Sequence, residues 1–263
     1  MNPYPKITEL RGELSTEGWT WRQFEPYGRF WLGTDERGQI WLVKMSGKRN
    51  AIREHSFSRF AQRLGVNTQS SRYIILGSRA APLQALRLSR QYQRHQLALW
   101  FYPEHKDGIC GEGCPLDRLP ERDWEAAWLN SGIHNPWDRC LGEILGFLCA
   151  QFEPAGQLIT TDHWWIQIDN ELMFGGWPYE RARWSRRAVG YIRDAYAHNF
   201  PGSGGRIRNL FTQVSMLTDD DIAGILETPD GYGGGSIASE FHKWYRQARG
   251  TAERLLQTER WLG

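Results

Sequence analysis

The chain has 263 residues, 40% of them hydrophobic and 24% charged, with a formal net charge of +2, so it is long enough for a substantial core and too ordinary in composition for disorder. That weak charge gives no reason to make nucleic acid the default partner, and no run approaches the about 18 apolar residues of a membrane span. Prolines and charges fill the first ten residues where a secretory leader needs an apolar run, and the expectation is a cytoplasmic protein without membrane contact.

The first hundred residues read mostly as strands. Trp19 to Phe24, Arg29 to Gly33 and Gln39 to Met45 are short and rich in β-formers, the last two joined by the hairpin-type turn Thr34-Asp-Glu-Arg-Gly38. The period then changes: Phe57, Phe60, Ala61 and Leu64 recur at helical spacing, with Asn50 expected as N-cap and Gly65 as C-cap. Strand-like runs follow at Tyr73 to Leu76, Gln84 to Leu88 and Gln96 to Tyr102.

From Pro103 to Pro136 the chain is rich in turns, with one short helix expected near Glu121 to Leu129, and this is where a boundary between two parts belongs. Cys110 and Cys114 bracket a glycine-rich turn there, but no second pair stands at a zinc-site distance, so all four cysteines are expected to be reduced thiols. Beyond it, Leu141, Ile144, Leu145 and Leu148 form one apolar helical stripe, for which Asp138 is the expected N-cap. Leu158 to Thr161 and Trp165 to Ile168 read as two strands around the turn at Asp162 and His163. Three helices are expected to close the chain, at Tyr179 to His198, Thr218 to Glu227 and Ser236 to Thr258, with a flexible loop at Pro201 to Gly205. The arginines of Arg181-Ala-Arg-Trp-Ser-Arg-Arg187 suit a solvated helix face better than a nucleic-acid surface.

Chemistry is carried by a few residues in a definite order. Lys44 ends the strand Trp41-Leu-Val-Lys44, and Glu54 follows on the next helix, three residues before Phe57 and seven before Ala61, which puts it on the buried side. A carboxylate turned toward a core needs a cation, and Lys44 is the nearest in sequence. In kinases such a strand lysine and helix glutamate hold the α- and β-phosphates of ATP. Asp169 ends the apolar strand Trp165-Ile-Gln-Ile168 abruptly, the position of a magnesium-binding carboxylate in nucleotide-dependent phosphotransferases.

This order of strand lysine, helix glutamate, turn-rich hinge, amphipathic helix, hairpin and Ile168-Asp-Asn-Glu-Leu-Met-Phe174 resembles the HipA-like branch of atypical protein kinases. The run Met216-Leu-Thr-Asp-Asp-Asp-Ile-Ala-Gly-Ile-Leu-Glu-Thr-Pro229 before a long last helix also looks like the helical end of small HipA-like proteins, so that the resemblance covers about Trp19 to Leu256. It implies an α+β, two-lobed, protein-kinase-like fold: residues 1–104 as an N-terminal antiparallel sheet with one helix, and residues 105–263 as a mainly helical C-terminal lobe. It implies ATP and Mg²⁺ as cofactors, phosphate transfer to a protein Ser/Thr hydroxyl, and Lys44 and Glu54 as nucleotide-binding residues.

The family's metal aspartate follows an Asp-Arg-His-x-Gly-Asn catalytic loop by about a dozen residues, where this chain reads Ala150-Gln-Phe-Glu-Pro-Ala-Gly-Gln157. Strict alignment puts Phe152 at the catalytic aspartate, with Glu153 beside it as the substitute base, and Gln157 at the asparagine position, where it would join Asp169 on the metal. Tyr27-Gly28-Arg29 is the nearest equivalent of a phosphate-covering loop, with Arg29 as the phosphate contact. Two readings stay open: an active phosphotransferase, and a pseudokinase that binds a nucleotide or a regulatory partner without turnover.

Overall fold

A computed structural model of the chain describes residues 13–24, 30–76, 95–100, 132–151, 156–168, 170, 173–174, 188–194, 196, 202–230, 232 and 235–259. The elements in chain order are β1 (Glu13–Leu14), β2 (Thr20–Gln23), β3 (Phe30–Thr34), β4 (Ile40–Lys44), α1 (Lys48–Arg63), β5 (Ser71–Ile75), β6 (His95–Trp100), α2 (Pro136–Leu148), β7 (Gly156–Ile159), β8 (Trp165–Ile168), α3 (Gly204–Ser215), α4 (Asp219–Ile225) and α5 (Gly235–Thr258). The chain is therefore a mixed α+β protein with its large sheet in the N-terminal part and a mostly helical C-terminal part.

The sheet runs β1-β5-β6-β4-β3-β2, antiparallel throughout except for the parallel pair of β1 with β5. Its β3–β4 turn is built by one side chain. Asp35 accepts from the backbone N–H groups of Arg37 and Gln39 (both 2.9 Å) and from Trp41 Nε1 (3.0 Å), while Gly38 takes a φ of 79°. Alternation along β4 then sends Trp41 and Val43 to one face, and Leu42 and Lys44 to the other.

The two faces have different cores. Trp19, Trp31, Trp41, Val43, Ile74 and Ala98 cluster on one of them, with Trp21 and Trp100 packed against it. The indole of Trp41 lies 5.2 Å from that of Trp100 and 6.4 Å from that of Trp19. The opposite face receives α1, whose Ile52, Phe57, Phe60 and Ala61 join Tyr73, Leu97 and Leu99 of the sheet in one cluster with residues of α2, α3, α4 and α5. Both parts of the chain thus share the main core.

Several boundaries differ from the sequence expectation. Gly47, not Asn50, is the N-cap of α1, and Gly65 lies just beyond the C-cap Leu64 with a φ of 79°. Asn50 falls inside the first turn, where its Oδ1 accepts from Arg53. Asn135, not Asp138, caps α2. Gly204 and Gly205, expected in a loop, open α3, whose Ile207, Leu210, Phe211 and Val214 make a complete apolar stripe. Packing of that stripe outweighs the roughly 1 kcal/mol that each glycine costs a helix. The expected strand at 84–88, the helix near 121–129, Cys110 and Cys114 lie outside the described residues, whereas Cys140 and Cys149 are buried and not disulfide-bonded. Among the described residues no helix is long and apolar enough to cross a membrane.

Candidate functional site

Lys44 closes β4 between Phe30 of β3 and Leu97 of β6, on the face that α1 covers. Glu54 lies in the middle of α1, and its Oε2 is 3.4 Å from Lys44 Nζ. The ion pair expected from their order in the sequence is present and almost wholly out of water, with side-chain exposures of 8% and 2%. The Phe30 ring adds a cation–π contact, its centroid 5.8 Å from Nζ. Burying an ammonium and a carboxylate is costly unless each is compensated, so two elements that meet through such a pair are held in one register.

The neighbouring residues hold α1 in place. His55 is fully buried, its Nδ1 2.7 Å from Ser71 Oγ and its ring 4.2 Å from that of Tyr73. Burial, with Arg59 adding repulsion, pushes its pKa down to about 3, so the imidazole is neutral. At the next residue, Ser56 Oγ and Tyr245 Oη of α5 are 3.0 Å apart, and Phe60, one turn on, packs on the Tyr245 ring. At the helix ends Arg49 makes a double ion pair with Glu240 of α5, and Arg63 pairs with Asp221 of α4. The C-terminal helices therefore set the angle at which α1 presents Glu54 to Lys44.

The hairpin of β7 and β8 lies at the other end of α1. Past Gly65 the chain runs alongside β8: Thr68 bridges Gln167 in parallel, Gln167 N–H donates to Asn67 O (3.2 Å), and Gln69 N–H donates to Gln167 O (2.9 Å). β8 ends at Ile168, the residue before Asp169. Asn170 is described, buried, and accepts through Oδ1 from Gln167 Nε2 at 2.8 Å.

Of the residues singled out by sequence, Lys44 and Glu54 are brought together. Gln157 is on β7, opposite Gln167, with its side chain outside the described set. Arg29, Glu153 and Asp169 lie outside the described residues. Among the described residues no three His, Cys, Asp or Glu side chains converge as a metal site. Sequence reasoning missed Asn67 and Asn135, which join Asp138 and β8 in a polar network. Only the position of Asn135 before Pro136 gave a sign, and it pointed to capping alone. No protein-family model matches the chain, and none of the curated proteins matches it in sequence.

Proposed function

We propose that this protein binds ATP with Mg²⁺ in a kinase-like cleft and transfers phosphate to a protein Ser/Thr hydroxyl. The observation that carries the reading is the buried Lys44–Glu54 pair, which joins a central strand to α1, a helix packed on that face of its sheet. A strand lysine oriented by a helix carboxylate is the arrangement that kinases use to hold nucleotide phosphates. The antiparallel order β2-β3-β4-β6-β5, with the lysine strand in the middle, and the later β7–β8 hairpin that precedes Asp169 support the same reading.

The donor set suits a polyphosphate. Lys44 supplies a cation whose position is fixed by Glu54, and in a low-dielectric setting such a charge acts strongly on phosphate oxygens. Arg29 would add a second cationic contact. Asp169 would hold the metal with Gln157 beside it, and the metal would neutralise charge on the phosphates. Glu153 would accept the hydroxyl proton of the acceptor.

A second reading, a pseudokinase serving as a nucleotide- or partner-binding regulatory module, is favoured by Phe152 at the aligned position of the catalytic aspartate. Titration calorimetry with ATP and Mg²⁺ on the wild type, Lys44→Met and Asp169→Asn tests nucleotide binding, and an assay for phosphate and AMP transfer then separates the two readings. The expected result is binding by the wild type and marked weakening in both variants. Equal affinities in all three proteins would overturn the site, and binding without transfer would select the pseudokinase.

A further inference from the structure

β8 pairs with β7 along one edge, and its other edge is closed by side-chain amides and loop backbone instead of a strand. Asn135 holds the N-cap position of α2 but makes no side-chain capping bond. Its Oδ1 accepts from the Trp165 backbone N–H and its Nδ2 donates to Trp165 O, both at 2.8 Å, so that the amide pairs with Trp165 as a neighbouring peptide would. Nδ2 of Asn67 donates to the same carbonyl at 3.1 Å. Asp138 ties these two together, its Oδ2 accepting from Asn67 N–H (3.0 Å) and from Asn135 Nδ2 (2.8 Å). Burial raises the Asp138 pKa, while both hydrogen bonds and the positive charge of Arg206 act in the opposite direction.

We propose that Asn67, Asn135 and Asp138 are positioning residues: they fix β8, and hence the start of the segment carrying Asp169, relative to the helix that carries Glu54. The inference rests on the functional reading above and adds to it the part that sets the metal-binding segment against the Lys44–Glu54 pair. Its basis is the continuity of the chain. Asn67 follows α1 by four residues, and β8 ends one residue before Asp169. A side chain that serves as N-cap normally bonds the first turn of its own helix. At Asn135 that bond is given up for two bonds to Trp165, which the stability of α2 alone does not call for.

Asn135→Ser separates a structural role from a positioning one, because serine caps a helix as well as asparagine does, but its single, shorter-reaching oxygen replaces the separate Oδ1 and Nδ2 that pair with the Trp165 N–H and C=O. Full-length wild type, Asn135→Ser and Asn135→Ala are compared by thermal melting, by hydrogen exchange over 165–168, and by ATP titration with Mg²⁺ and with EDTA. The serine variant is expected to melt close to wild type and to exchange faster over 165–168. Its affinity for ATP with Mg²⁺ should fall about tenfold while that in EDTA is unchanged. Unchanged exchange in Asn135→Ser overturns the tie itself, whatever the nucleotide result. Faster exchange with unchanged affinity for ATP and Mg²⁺ overturns the positioning role. A wild type that binds no ATP overturns the functional reading, and the positioning role with it, while the exchange comparison still decides the tie.

Discussion

A methyl group added at Gly33 would lie 2.3 Å from a ring carbon of Trp19. Gly33 is thus the small residue that lets the indole of Trp19 lie flat on β3, and Gly33→Ala should lower stability by about 2 kcal/mol, read as a reduced urea midpoint. His55 gives a pH signature. Its folded-state pKa is about 3 against an ordinary 6.5, so between these values the unfolded chain binds the proton and the folded one does not. Ser71, Tyr73 and Arg59 surround the ring, and none of them offers the imidazolium a negative charge. Stability should therefore be unaffected by His55 above about pH 6.5 and decline by up to ~1.4 kcal/mol per pH unit below it. Urea unfolding of wild type and His55→Gln between pH 7 and pH 5 checks this, since the slope due to His55 must vanish in the variant. At this scale Glu54 was legible because a carboxylate on an apolar face needs a cation. The demand of Trp19 on Gly33 was not, because it depends on how the chain between β1 and β2 folds back over the sheet.

Among the elements, α4 has the most complete local signal. Thr218 Oγ1 accepts from Asp221 N–H and Asp221 Oδ2 accepts from Thr218 N–H, a reciprocal capping box, and Asp221 also reaches Arg63 of α1. Bonds to Thr218, backbone first, keep the Asp221 carboxyl below its usual range. Thr218→Ala should cost about 1 kcal/mol in a denaturation experiment. In α2, a methyl at Gly142 would meet Gln167 Oε1 at 2.3 Å and the Trp165 ring at 2.8 Å. Gly142→Ala should therefore push β8 away from α2 and disturb the Gln167–Asn170 bond, with faster hydrogen exchange over 165–168 as its mark. Strand and helix periods identified most of these elements, because apolar stripes such as Phe57, Phe60 and Ala61 show in any window. α3 as a whole escaped because its two opening glycines signal a loop, and only burial of Ile207, Leu210, Phe211 and Val214 decides for a helix.

For the whole molecule, the main core cluster contains residues of the sheet and of α1, α2, α3, α4 and α5. Tyr232 packs its ring 4.5 Å from that of Tyr73, and Tyr245 of α5 lies under Phe60, so the C-terminal part cannot leave without opening the interior of the N-terminal one. Urea unfolding followed by tryptophan fluorescence and by far-ultraviolet circular dichroism should give coincident transitions. Two separated midpoints would mean that the sheet and the C-terminal helices are held together less firmly than this shared core requires. The sequence by itself determined the α+β class, the β3–β4 hairpin, the helical character of α1, α2, α4 and α5, and the pairing of Lys44 with Glu54, because each follows from a local period or from the need of one buried charge for another. Only the tertiary structure decided that β1 adds in parallel beside β5, that the Asn135 side chain bonds to the backbone of a strand instead of the backbone of its own helix, and that the C-terminal helices set the angle of α1. Those outcomes depend on which distant surfaces meet, and a side-chain amide has no partner specified in sequence until the fold brings a free strand edge to it.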